Sequence, residues 1–226
     1  MIERLVMIGA NSRLVTFMFL LLLTALAVPG LQYLRIDTGL ASLISDSDPD
    51  RQAYLRVSEE FGSDNRTIVY VRDEALWTTT KIAALERLHE SLEDLQQVER
   101  VESILTVRTI RGSGRSLDSR PLLVDGATNQ SNVDRAKSDA LANPLIVGNY
   151  VSEDGAATAL MVTIRPPGEE LDYDLDVHEA LDYIVTTSKG DFQELFQIGP
   201  SRINTELKSA LLEDLTLLGP LSALLL

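Results

Sequence analysis

Twenty-one consecutive residues without a charge, Leu14 to Leu34, lie between Arg13 and Arg35. As a helix rising about 1.5 Å per residue, the stretch is roughly 31 Å long and matches a hydrocarbon core of about 30 Å. Lipid offers the backbone no hydrogen bonds, so a segment that crosses it has to be helical. Pro29-Gly30 would argue for a break in water, but is tolerated near the end of a membrane helix. A second uncharged run, Leu215 to Leu226, closes the sequence. The two runs predict a membrane span, a large extramembrane domain and the truncated beginning of another span. They are expected to belong to the front piece of a longer polytopic protein.

Charge sets the expected orientation. Residues 1–35 hold three Arg against one Glu, a net of +2, which leaves 17 basic and 33 acidic groups, a net of −16, for the remainder. Arg4 and Arg13 beside a first span favour the cytoplasmic side. The protein is then expected in the inner (plasma) membrane of the cell, multi-pass, with its middle domain outside the cytoplasm, in the periplasm. So acidic a domain argues against nucleic acid, because phosphate would repel it. It also argues against docking on anionic lipid through a basic patch. A cleaved signal peptide is the competing reading, since Ala25-Leu26-Ala27 fits the small-x-small pattern. The apolar run continues past that point through Val28, Leu31, Tyr33 and Leu34, which favours an uncleaved span. The chain has no cysteine, so a disulfide framework and thiol chemistry are excluded.

The periodicities of the middle segment predict an α+β fold. Asp48-Pro49 starts a helix as N-cap and first helical residue. Tyr54, Val57, Ser58 and Phe61 follow at helical spacing, and Gly62 ends it. Thr67–Val71 is short and β-branched, and reads as a buried strand. Thr80–Gln97 is the clearest helix, with Ile82, Leu85, Leu88, Leu92 and Leu95 in one stripe. Val98–Ile110 reads as a second strand region. Gly112, Ser113, Gly114, Ser116 and Ser119 mark a flexible insertion. Ser131 with Asp134 opens a helix to about Ala142, and Asn143-Pro144 stops it. Ile146–Val151 and Thr158–Arg165 read as a hairpin around Glu153-Asp154-Gly155. Tyr173–Ser188 is helical, with Leu175, His178, Leu181 and Val185 near one face. Phe192–Ile198 is a last strand, and Gly199-Pro200 opens a helix whose Ile203, Leu207 and Leu211 lead into the second apolar run. Without the insertion the order is β-α-β-β-α-β, the split βαβ or ferredoxin-like plan. The expected organisation is a cytoplasmic lead at 1–13 and transmembrane helix 1 at 14–34. An extracytoplasmic domain occupies 35–212, with its insertion at 111–130, and transmembrane helix 2 starts at 213–226.

Several short motifs in this order are similar to the first part of resistance–nodulation–division (RND) superfamily exporters, in the MMPL-like, hydrophobe-exporting branch. They are Leu43-Ile-Ser-Asp-Ser-Asp-Pro49 after the span, Glu60-Phe61-Gly62-Ser63, Val98-Glu-Arg-Val101-Glu-Ser103 and Val151-Ser-Glu-Asp-Gly155. Gly199-Pro200, with Glu206, Asp214 and Leu215, precedes the next span. The resemblance implies about twelve spans in two repeated halves, each with an extracytoplasmic porter domain after its first span. It implies a proton-gradient-driven transporter of lipids or other hydrophobic molecules, and no cofactor. The implied partners are the bilayer, the substrate and the remainder of the transporter chain, with homo-oligomerisation left open. The proton-carrying acids of that family belong to a later span, beyond Leu226. In agreement, neither apolar run contains an ionisable residue, the usual mark of a proton path in lipid. The runner-up is a membrane-tethered ligand-binding or sensor module.

No catalytic, cofactor-binding or metal residue is assigned. Asp46, Asp48 and Asp50 alternate, as do Asp172, Asp174 and Asp176, but a calcium loop needs Gly at its sixth place and Glu at its twelfth. Those places hold Arg51 and Val57, or Val177 and Tyr183, so both clusters read as helix-start acids. His89 and His178 lie on different helices without cysteine partners, and read as packed or surface histidines. Gly112-Ser113-Gly114 has neither the spacing of a hydrolase elbow nor the third glycine of a nucleotide loop, where Leu117 stands. Asn65-Arg-Thr67 and Asn129-Gln-Ser131 fit the glycosylation pattern, one that arises often by chance. Trp77 reads as a packing anchor. Substrate-binding residues are not assigned.

Overall fold

A computed structural model describes residues 13–31, 48–113, 116–123, 129–166 and 172–225. The chain divides into two compact units, Met1–Asp37 and Thr38–Leu226. The first contains α1, Arg13–Leu31. Its described apolar side chains point outward on every side, from Leu14, 75% exposed, to Leu26, 71% exposed. Those side chains cover roughly 20 Å of helix, against a core of about 30 Å. Among the described residues no helix is long and apolar enough to cross a membrane. The predicted span therefore lacks its support here, and its last residues, Gln32–Leu34, lie outside the described ones.

The second unit is α+β. It opens with α2, Pro49–Phe61, where Asp48 accepts the Asp50 amide at 2.8 Å and Gly62, at φ 88°, forms the C-cap. A left-handed residue costs glycine little, which is why the helix can stop there. Tyr54, Val57 and Phe61 have the predicted spacing but remain exposed. Asp46, like the rest of residues 32–47, falls outside the described residues.

Four strands build the main sheet: β1 (Arg66–Arg72), β2 (Val98–Glu102), β5 (Ala157–Ile164) and β6 (Glu194–Ile198). Their order is β2-β5-β1-β6 and every neighbouring pair is antiparallel. One β-α-β unit runs β1, α3 (Thr79–Glu93), β2; the other runs β5, α5 (Tyr173–Ser188), β6. The two units interleave, so each strand of one lies beside a strand of the other. Ile82, Leu85, Leu88 and Leu92 of α3 and Val177, Leu181, Ile184 and Val185 of α5 form the core with Val69, Val71, Val101, Leu160, Val162 and Leu195 of the sheet. The predicted α3 stripe is buried, apart from Leu95, which lies half-buried beyond the helix end. Trp77 is buried too, its Nε1 donating to the Gly155 carbonyl at 2.8 Å.

Gly199 joins β6 to α6, Pro200–Leu225. A Cβ placed on it would lie 2.2 Å from Thr67 Oγ1 and 2.8 Å from Thr67 Cα. Only a residue without a side chain lets the helix leave so close to β1. Farther along α6, Leu211, Leu212, Leu215, Leu217 and Leu218 are exposed.

Three predicted elements differ. The strand region Val98–Ile110 is two strands, β2 and β3 (Arg108–Ser113), because Ser103 turns the chain. Its carbonyl accepts the amides of Thr106 and Val107, both at 3.0 Å, and its own amide donates to Thr106 Oγ1. The glycine- and serine-rich insertion contains a hairpin, β3 with β4 (Ser116–Pro121), and Gly112, Ser113, Ser116 and Ser119 are residues of its two strands. The predicted hairpin arm Ile146–Val151 is a set of turns. Tyr150 N donates to Ile146 O at 2.8 Å, Gly148 takes φ 81°, and only Val151 bridges β5, at Thr158. The preceding α4 spans Gln130–Leu141, capped by Asn129, whose Oδ1 accepts the Asn132 amide, rather than by Ser131.

Candidate functional site

The chemistry-bearing residues fall into three groups: a closed polar cluster, acids that hold helices in place, and an open surface with an edge cavity. The closed cluster surrounds His89. Ser103 Oγ lies 3.1 Å from His89 Nδ1, and His89 Nε2 lies 3.4 Å from Glu93 Oε1. Nucleophile, base and acid are present in sequence, and the structure brings them together. Ser103 is 0% exposed and its Oγ already accepts the Leu105 amide at 3.2 Å. A substrate carbonyl has no approach to that oxygen, so the cluster cross-links α3 to the turn after β2. Sequence reading treated His89 as isolated; its partner lies 14 residues away, beyond the end of α3.

The acids are structural as well. Asp172 Oδ1 accepts Lys208 Nζ at 2.6 Å and Asp174 Oδ2 accepts Asn204 Nδ2 at 2.8 Å, which ties α5 to α6. Among the described residues no group of His, Cys, Asp and Glu is arranged to hold a metal ion. Asp154 in the turn before β5 accepts Ser152 Oγ, the Ala156 amide and Arg72 Nη2. These bonds, the Ser152 hydroxyl first, hold its carboxyl far below the usual range. Asp73 is 3% exposed. Burial pushes its carboxyl up, but the hydrogen bonds from Lys81 and the Ala75 amide outweigh that and lower it. Of the glycosylation patterns, Thr67 is buried and Asn129 is the α4 cap, so both sets of residues serve the fold.

The third group lies on the sheet face away from α3 and α5. Strand residues alternate sides. Register places Glu102, Met161, Ile68 and Ile198 in one row across β2, β5, β1 and β6. Ala159, Tyr70 and Phe196 form the next row. Val151 bridges Thr158 antiparallel, which puts Tyr150 on this same side beside Ala159, whose amide donates to the Tyr150 carbonyl at 3.1 Å. Tyr70 and Phe196 stack with ring centroids 4.8 Å apart and 27° between planes. Ile68, Phe196 and Ile198 are 41%, 38% and 54% exposed.

At the β2 edge of this face lies a cavity of about 340 Å³, lined by Glu102, Thr106, Val107, Arg108, Asn143, Leu145, Ile146 and Tyr150. Its size falls within the range of small-molecule sites. Ile146 forms an apolar floor and Leu145 an exposed apolar lip. Arg108 uses Nε and Nη2 on Ser119, at 3.1 and 2.8 Å, and Asn143 Oδ1 accepts the Leu145 amide. The Asn143 amide nitrogen and the Tyr150 hydroxyl make no hydrogen bond among the described residues. Burial, then the nearby Glu102 carboxylate, raises the Tyr150 hydroxyl, so it stays a proton donor at neutral pH. None of these residues was singled out from sequence as a site residue. The available signal was in the strands, where Ile68/Val69/Tyr70/Val71 and Leu195/Phe196/Ile198 are apolar at both alternations.

No protein-family model matches the chain, and no curated protein matches it.

Proposed function

We propose that the chain is the N-terminal portion of a proton-gradient-driven exporter of lipids or other hydrophobic molecules, of the RND, MMPL-like kind. In it, Leu14–Leu34 is the first span, the α+β unit is a ferredoxin-like porter domain outside the cytoplasm, and the apolar end of α6 enters the second span. The observation that carries this reading is α1, whose described apolar side chains are exposed on all sides. Burying an apolar side chain of this size is worth about 1.5–3 kcal/mol. A helix apolar all round needs a surrounding medium of its own kind. The β-α-β-β-α-β order and the acidic charge of the remainder support the placement of the domain.

The test is topological. Single cysteines in place of Glu90 and Ser188 in the otherwise cysteine-free chain should react with an impermeant thiol reagent in intact cells. Labelling only after lysis would overturn the orientation. A second reading, a membrane-tethered ligand-binding module, is favoured by the edge cavity at Glu102 and Tyr150. The two differ in the coding sequence expected downstream of Leu226. An exporter has closely spaced spans there, one of them acidic; a binding module has a single span and a cytoplasmic signalling segment.

A further inference from the structure

We infer that the row Arg66, Thr163 and Arg100, at one end of the open sheet face, is a binding site for a phosphate-type oxyanion. The site needs only the folded α+β unit and does not rest on the exporter reading.

Register sets the row. Thr163 of β5 pairs with Arg66 of β1 on one side and with Arg100 of β2 on the other. Direct cross-strand partners project to the same face. The two arginines therefore flank Thr163 across two strand spacings, roughly 10 Å at about 4.8 Å each. Guanidinium arms on either side of such a gap can close on one ion. A β-bulge makes the arrangement. Val98 pairs with Ile164, and the register shifts before Arg100. Unbroken pairing would bring Glu99 opposite Thr163 and turn Arg100 to the core side. The extra residue puts the cation in the row instead, and the Glu99 carboxylate accepts the Ser63 amide at 3.4 Å. Re-aiming a side chain in this way is a common use of a bulge.

Thr163 itself is left without a partner. It is 1% exposed, and its Oγ1 makes no hydrogen bond. A buried hydroxyl in that state is costly to keep. Its neighbours across both strands are the two arginines, and an oxyanion held between them is an acceptor for it.

The surrounding charges favour an anion. Arg66 is exposed and has no hydrogen bond or ion pair among the described residues. Arg100 has only a loose pair with Glu102, 3.5 Å between Nε and Oε1, and such a pair contributes little. The Tyr150 hydroxyl senses the same three charges: burial and then Glu102 push it up, while Arg66 and then Arg100 pull it down. Asp64, the residue but one before Arg66, accepts the Tyr54 hydroxyl, and the Arg108 guanidinium lies on Ser119. At the other end of the face, three rows away, Arg72 is taken by Asp154 and stands opposite Glu194. Only the Arg66 end combines two cations with an orphaned hydroxyl. Two guanidinium forks match a tetrahedral oxyanion, which offers an edge to each, whereas a carboxylate has one edge to offer.

The test uses the full chain in a maltoside micelle, with its arginines labelled with nitrogen-15. Inorganic phosphate, sulfate and acetate are titrated at constant ionic strength. Expected is a saturable shift of two arginine Nε–H resonances, assigned by Arg66→Gln and Arg100→Gln, with a Kd for phosphate of about 1 mM or tighter. Sulfate should shift the same two resonances, and acetate should bind at least about tenfold more weakly. Each glutamine variant should weaken phosphate at least about tenfold. Arg87→Gln, on α3, should leave it unchanged. Thr163→Val keeps the shape and removes the hydroxyl, so it should weaken phosphate about three- to tenfold without lowering the unfolding midpoint. Glu102→Gln should tighten binding. Absence of saturation, equal affinity for acetate, or full affinity in Thr163→Val would each overturn the site. So would an Arg87→Gln loss as large as that of Arg66→Gln, which would assign binding to the diffuse field of the surface.

Discussion

The two faces of one sheet share every strand and yet differ in what covers them. On one side Val69, Val71, Leu160, Val162 and Leu195 lie beneath α3 and α5, each at most 2% exposed. On the other, Ile68, Phe196 and Ile198 are of similar size and remain about half open. A sheet with one face in water ordinarily alternates apolar with polar residues. Strands β1 and β6 do not alternate in that way. The same residue types therefore do two jobs: the covered face supplies the stability of the unit, and the open face keeps apolar surface available. If that division is right, substitutions one residue apart in the chain differ several-fold in cost.

The largest effect is expected at the centre of the covered face. Leu88 is 1% exposed within α3, so Leu88→Ala should cost about 2–5 kcal/mol in chemical unfolding of the chain. Glu90→Ala, on the exposed side of the same helix, should stay within about 0.5 kcal/mol. Equal costs would mean that α3 does not bury its leucine stripe. Next comes Gly199→Ala, where the new methyl meets Thr67, including its Cα. Overpacking against backbone should cost about 1–3 kcal/mol, read in the same unfolding experiment. A neutral result would show that β6 and α6 shift freely away from β1.

A smaller, pH-dependent effect belongs to Asp73. Its ion pair with Lys81, 2.7 Å between Nζ and Oδ2, sits where the chain enters α3. The folded-state pKa lies below the ordinary 3.8. A carboxyl of lowered pKa contributes stability that is present above its unfolded value and lost as pH falls through the folded one. Asp73→Asn should thus cost about 1–2 kcal/mol at neutral pH. The gap between variant and parent should close as unfolding is measured at progressively lower pH, below 3.8. A gap that stays constant down to acid would assign the loss to geometry instead of charge.

Helices were the legible part of the sequence. Tyr173–Ser188 agrees end to end, and the α3 stripe points where its spacing said, because a period of 3.6 is local. The strands were found, but which of them turn early was not. Ser103 ends β2 through hydrogen bonds from its carbonyl to Thr106 and Val107, and nothing in the apolar pattern of Val98–Ile110 announces that turn. Likewise Ile146–Val151 has strand composition and is folded by short-range bonds around Gly148. The candidate site was hidden for another reason. It joins β2, the loop after α4, β5, β1 and β6, and only the register puts Glu102, Tyr150 and Phe196 on one side. The run Thr67–Val71 reads as a buried strand, and the fold buries one of its faces.

The smallest expected effect is also the one that bears most directly on the two faces. Leu195 and Phe196 are neighbours in β6, 2% and 38% exposed. Leu195→Ala removes a packed side chain and should cost about 2–5 kcal/mol. Phe196→Ala removes only its stacking on Tyr70, its cross-strand neighbour. A cross-strand pair of this kind is worth about 0.2–1 kcal/mol, so the loss should fall in that range. Combining Phe196→Ala with Tyr70→Ala should add little more, since the second change removes a partner already gone. A fluorescent probe of exposed apolar surface should bind the folded Phe196→Ala variant less than the parent. It should bind the folded Leu195→Ala variant no less than the parent. Were Phe196→Ala to cost as much as Leu195→Ala, the open face would be packed against something in solution, and the division of labour between the two faces would fail.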